Sequence, residues 1–178
     1  MAEPLKNLYS ETFITRLAAE LAKVYPINKK KFTADVLDME WPGKALKQRT
    51  RHVVHMINKH VPEIYRQQVE VLKQVAPHFN GYVAVLFPDF IEVYGLDDYF
   101  TSIAALEQFT QYSTSEFAVR PFIIKYEKEM LKQHLKWARH KNQHVRRLSS
   151  EGIRPRLPWA MALPAFKKDP YAVLPILE

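Results

Sequence analysis

Apolar residues recur three and four positions apart along almost the whole chain, and almost nowhere do they alternate every second position. Phe13, Leu17, Leu21 and Val24 form one such series, Leu46, Val53, Val54 and Ile57 a second, and Ile64, Val69, Leu72 and Val75 a third. That spacing lines up side chains on one face of an α-helix, whereas a half-buried strand needs a period of two. The one short run that reads ambiguously, as strand or helix, is Tyr82 to Phe87. The pattern predicts an all-α fold. Ser10 and Asn28 stand where N-caps belong, and Pro26, the Trp41-Pro42-Gly43 turn and Pro77 stand where helices must stop. Residues 79–97 are aromatic but broken by Gly81, Pro88 and Gly95, which predicts short or irregular helices there. Further helices are expected over 98–112, 115–125, 127–140 and 142–152. Nine to eleven short helices joined by tight connections imply antiparallel pairs stacked into a HEAT-like superhelix.

An internal echo supports stacking. EFAVRPFI (116–123) and QHVRRLSS (143–150) both set Val-Arg early in a helix, twenty-six residues apart, a shorter period than the roughly 40 of HEAT repeats. The echo would make Arg120 and Arg146 equivalent. A chain of 178 residues with 47% hydrophobic content has the length of one domain, 1–178, and enough apolar surface for a core. Its end, KDPYAVLPILE, starts like a capped helix with Asp169 before Pro170 and then leaves Val173, Leu174, Ile176 and Leu177 with nothing after them to pack on. Because a solenoid needs a polar cap, a longer protein that continues past Glu178 is expected.

Cysteine is absent, which removes disulfides and thiolate metal sites and suits a reducing compartment. MAEPLKNLYSETF has no apolar signal core, and no stretch of about 18 apolar residues occurs. A cytoplasmic, monomeric protein without membrane contact is expected. HVVHMINKH brings His52, His55 and His60 close in sequence, but nothing completes a zinc set at convincing spacing. Phosphate loops, nucleophile elbows and kinase motifs are missing too.

Charge is uneven. Residues 1–115 hold thirteen Lys/Arg and thirteen Asp/Glu, and no cation occurs from Gln74 to Val119. Residues 116–168 then hold thirteen Lys/Arg against four carboxylates, Glu116, Glu127, Glu129 and Glu151. An excess of this kind favours a polyanion, since each phosphate neutralised releases counterions. Within HVRRLSSEGIRPRLPW (144–159) the cations are all arginines, whose forks match phosphate oxygens. A single glutamate and a tryptophan stand among them.

These stretches carry a resemblance. SSEGIRPRLPWA preceded by HVRR, with STSEFAVRPFI upstream, resembles the AlkC-type DNA alkylation repair family of bacterial 3-methyladenine DNA glycosylases built from HEAT-like repeats. EPLKNLY, YGLDD (94–98) and the terminal DPYAVLPILE extend the likeness over essentially the whole chain. The resemblance implies double-stranded DNA with alkylated bases as partner and no cofactor. It implies hydrolysis of the glycosidic bond of positively charged N3-alkylated bases without base flipping. It places Glu116 and Glu151 as catalytic carboxylates and Trp159 against the lesion. A further catalytic carboxylate would lie beyond Glu178, so the chain alone is expected to be weakly active or inactive.

The residues themselves leave alternatives open. Glu116 sits three after Ser113, as in a capping box, and four before Arg120; Glu151 sits four after Arg147, as in a helical ion pair; Trp159 beside Pro158 fits a core. Arg147, Arg154 and Arg156 read as phosphate contacts, with Arg120 and Arg146 as further candidates. Arg120 and Arg147 have a second reading, as the residues that orient the two glutamates. A non-catalytic helical module that binds DNA or an acidic protein through 116–168 is the competing function. If the glycosylase reading holds, Glu116, Glu151 and Trp159 should converge on one surface, with the Val-Arg helices side by side.

Overall fold

A computed structural model describes residues 4–178, so Glu3 of EPLKNLY lies outside the described residues. Among them there are eleven α-helices and no strand. The helices are α1 (Glu11–Val24), α2 (Lys29–Val36), α3 (Leu46–His60), α4 (Tyr65–Val75), α5 (Leu86–Tyr94), α6 (Tyr99–Phe109), α7 (Val119–Lys125), α8 (Glu127–Ala138), α9 (Gln143–Gly152), α10 (Pro164–Lys168) and α11 (Leu174–Leu177). The ambiguous run at Tyr82 becomes a short 3-10 turn, Tyr82–Val85, that leads into α5. No helix of the described residues is long and apolar enough to cross a membrane.

Helix starts follow side-chain chemistry. Ser10 Oγ accepts from the Phe13 amide at 3.2 Å and Asn28 Oδ1 from the Lys31 amide at 3.0 Å. Asp98 and Asn142 cap α6 and α9 in the same way. Each such bond satisfies a backbone N–H that has no partner within its own helix.

The helices stack in two rows. α1 packs on α4 and α4 on α6, while α3 packs on α5; α5 then meets α6, α6 meets α7, α7 meets α8 and α8 meets α9. The first row is extended by α8, whose Trp137 indole donates to the Glu107 carboxylate of α6 at 2.6 Å. Helices α7 and α9 both pack on α8. Gly152 makes that junction possible: a Cβ there would lie 2.9 Å from His134 Cε1 and 3.0 Å from Val119 Cγ2. At the same junction, the fully buried His134 donates from Nδ1 to the Ser149 carbonyl at 2.9 Å, and Ser149 Oγ donates back to the His134 carbonyl at 2.6 Å.

Two expectations about the chain need correction. The terminal apolar residues do find a surface: Val173 and Ile176 are buried, and α11 packs on α8 and α9, while Leu174 and Leu177 stay exposed. The reversal is made by α10, which buries Leu163 and Phe166 just upstream and is too short to announce itself by periodicity. The Val-Arg echo also fails as a structural equivalence. Arg120 is fully buried at the start of α7, whereas Arg146 is exposed on α9.

Candidate nucleic-acid interface

The loop between α9 and α10 carries the most unusual backbone of the described residues. Trp159 is the one non-glycine residue there with positive φ, at 66°. The Ala160 amide bonds the Leu157 carbonyl at 3.2 Å, so Leu157–Ala160 closes as a β-turn with Pro158 and then Trp159 at its centre. Proline followed by positive φ is the pattern of a type II turn, in which the second central place ordinarily belongs to glycine. A bulky side chain there is a strained choice, and strain of this sort concentrates at functional sites. Trp159 is 62% exposed, so it is not a core residue.

Arg120 is corrected from phosphate contact to internal strut. Its guanidinium donates to the carbonyls of Gly152 at 3.2 Å, Arg154 at 2.8 Å, Pro155 at 3.4 Å and Met161. No face is left for DNA. Burial pushes its pKa down from the usual arginine value, while the nearby Glu116 carboxylate works in the opposite direction.

The two glutamates take different partners from those that helical spacing suggested. Glu116 lies in the turn before α7, where Thr114, not Ser113, accepts its amide at 3.2 Å. Its largely buried carboxylate takes Arg147 of α9 at 3.2 Å. Arg147 is thereby turned away from Glu151. Glu151 pairs instead with Arg154 at 2.8 Å. Glu151 first, and Glu116 after it, raise the Arg154 guanidinium above its ordinary value, so both carboxylates act on one cation. One guanidinium group stands against each carboxylate, Arg147 against Glu116 and Arg154 against Glu151.

Beside this cluster opens a cavity of about 180 Å³. Trp159 and Met161 form one wall, Thr114 and Phe117 flank Glu116 on another, and Lys47, Arg51 and Asp89 come from the N-terminal half. Lys47 Nζ donates to the Trp159 carbonyl and lies 5.4 Å from the Phe117 ring centre. Arg51 pairs with Asp89 at 3.0 Å and Glu92 at 3.2 Å. Burial pushes the Asp89 carboxyl up to about 6 in spite of Arg51. Sequence reasoning missed this contribution from α3 and α5. A signal existed for Asp89, a lone acid inside the apolar run LFPDFI.

The remaining arginines separate by what already holds them. Arg146 donates to the His140 and Lys141 carbonyls, at 2.8 Å each, and so ties α9 to the connection from α8. Arg156 is exposed and forms no ion pair among the described residues. The histidines of HVVHMINKH disperse: His52 faces the Val36 carbonyl at 3.1 Å, His55 the Tyr94 hydroxyl at 2.7 Å and His60 the Asp35 carboxylate at 2.9 Å. No group of three or more His, Asp or Glu among the described residues is placed to hold a metal.

Comparison with known proteins bears on this geometry. YhaZ, an uncharacterized protein of Bacillus subtilis (strain 168), is 49% identical over 175 residues, which is 98% of this chain and 49% of YhaZ. The structure of Pseudomonas fluorescens alkylpurine DNA glycosylase AlkC, bound to DNA containing an abasic site analog, superposes with a TM-score of 0.93 at 33% identity. That match covers 99% of this chain and 50% of the AlkC chain. No family model matches. The chain therefore spans about half the length of the relatives it matches. In fold and in sequence it is an AlkC-type helical-repeat chain.

Proposed function

We propose that this chain forms the DNA-facing part of a repair glycosylase acting on positively charged N3-alkylated bases, of the 3-methyladenine type, in double-stranded DNA. The observation that carries the reading is the gathering of Glu116 and Glu151 around Arg154, beside an exposed tryptophan held in a strained turn. The likeness to a DNA-bound alkylpurine glycosylase supports it.

The chemistry asks little of the protein. A base alkylated at N3 of adenine is already cationic, so it departs without a general acid. The C1′–N9 bond breaks with its electron pair going to N9, the base leaves neutral, and positive charge develops on the sugar. Fixed carboxylates near that charge lower the barrier electrostatically. Water then adds to C1′ and gives up a proton, for which a carboxylate is a competent acceptor. Glu116 and Glu151 fill these roles, and the Trp159 face offers the cationic base a π contact. Arg154 and Arg156 meet phosphates beside the lesion. Because the carboxylates face the sugar from one surface, no base-holding pocket is required.

The test is release of 3-methyladenine from methylated duplex DNA by the protein, resolved by chromatography. Release that fails on Glu151→Gln supports the reading. Tight, salt-sensitive DNA binding without release of any methylated base would replace it with a non-catalytic DNA-binding module.

A further inference from the structure

Arg120 is fully buried, and no ion pair engages it among the described residues. Its partners are four backbone carbonyls, and they are not scattered. Gly152, Arg154 and Pro155 lie where the chain leaves α9, and Met161 lies just after the Trp159 turn. The guanidinium thus grips both legs of one loop. Between the legs stand the three exposed side chains of the interface, Arg154, Arg156 and Trp159. Few other bonds shape this segment: Leu163 N–H to the Pro155 carbonyl at 2.9 Å, the Leu157–Ala160 turn, and Lys47 on the Trp159 carbonyl.

Burying a cation is costly, and with no carboxylate in direct contact the converging carbonyl dipoles, helped by the field of nearby Glu116, make it tolerable here. Only arginine offers five donors in a rigid plane able to serve several carbonyls at once. A lysine would keep the charge but has three donors on one compact centre. A left-handed Trp159 needs such enforcement, because a bulky side chain in that backbone region persists only when its surroundings over-determine it.

We infer that Arg120 is a positioning residue: it sets the 153–163 loop so that Trp159 stands beside the Glu116–Glu151 pair. The effect on base release rests on the proposed glycosylase reading; the effect on the loop does not. Arg120→Lys and Arg120→Met test it in the protein. Loop order is read first, by iodide quenching of Trp159 fluorescence and by tryptic cleavage after Arg156. Trp41 and Trp137 are buried, and a Trp159→Phe control isolates the Trp159 signal.

The expected result is a folded Lys variant whose Trp159 quenching differs from the parent at least about twofold. Cleavage after Arg156 should be roughly tenfold faster, and base release should fall roughly tenfold to hundredfold, the scale of a slightly misplaced group. The Met variant should show the same pattern more strongly. Parental quenching and cleavage in either folded variant would overturn the inference. So would failure of both variants to fold, since Arg120 would then be a strut of the whole core. If the parent released no base, the glycosylase reading would fall while quenching and cleavage still decided the role of Arg120.

Discussion

Replacing Glu151 by Gln removes one charge and almost no volume, which makes it a clean probe of what that carboxylate does. Its partner Arg154 is exposed, and the pair sits three residues apart at the end of α9. Exposed pairs of this type contribute little to folding, so the melting midpoint should move by less than about 2 °C. Transition-state charge is another matter. A carboxylate about 4 Å from a developing unit charge is worth on the order of 4 kcal/mol at an effective dielectric near 20. Arg154, only 2.8 Å away, offsets part of that field. What remains, about 1.4–2.7 kcal/mol, corresponds to a ten- to hundredfold loss of rate. The assay is single-turnover release of 3-methyladenine from methylated duplex DNA by the protein, paired with a DNA-binding titration. Binding should hold or tighten, because a negative charge facing phosphates has gone. Excision at the parental rate by a folded Gln variant would refute the reasoning and leave Glu151 a structural residue.

Gly152→Ala should destabilise the protein by about 1–3 kcal/mol, read as a lower denaturant midpoint, because its methyl would meet His134 and Val119 at 2.9 and 3.0 Å. An unchanged midpoint would mean that α9 is free to move off the α7–α8 surface. Burial holds the folded His134 pKa down at about 4, against an ordinary 6.5. The unfolded chain therefore takes up a proton first, and stability should drop on the order of 3 kcal/mol as pH falls from 6.5 to 4; His134→Gln should flatten that part of a pH–melting profile, and an equally steep profile in the variant would assign the loss to other groups. In DNA titrations, Arg156→Ala should lower the slope of log affinity against log salt by about one unit. Arg154→Ala should lower it less, being already paired with Glu151, and Arg146→Ala least, being bonded to carbonyls. Equal slope changes at all three positions would contradict this ranking.

How far the sequence could be read depended on the range of the interaction. Caps act within three residues, so Ser10, Asn28 and Asp169 were each legible as local acceptors; Asp169 Oδ1 does accept the Tyr171 amide, at 3.0 Å. Helical periodicity fixes which face of α1, α3 or α4 is buried, and Leu17, Val54 and Leu72 are fully buried accordingly. It cannot fix which cation a glutamate will choose. Spacing offered Arg120 to Glu116 and Arg147 to Glu151, each within one helix turn, yet Glu116 lies outside α7, so the first pair has no helix to form on. With Arg120 committed to carbonyls, Arg147 crosses from α9 to Glu116, and Glu151 is left to Arg154. The same limit hid Lys47. Nothing near residue 47 hints at a partner 112 positions away, because the contact arises only when the second row of helices brings α3 beneath the Trp159 loop. Arg120 shows the opposite failure: its neighbours in sequence suggested a DNA contact, and only its burial among backbone carbonyls reveals that its work is on the backbone. A basic stretch therefore supplies arginines of different kinds, Arg156 free of ion pairs among the described residues, Arg146 exposed but spent on carbonyls and Arg120 buried among them, and only the fold tells them apart.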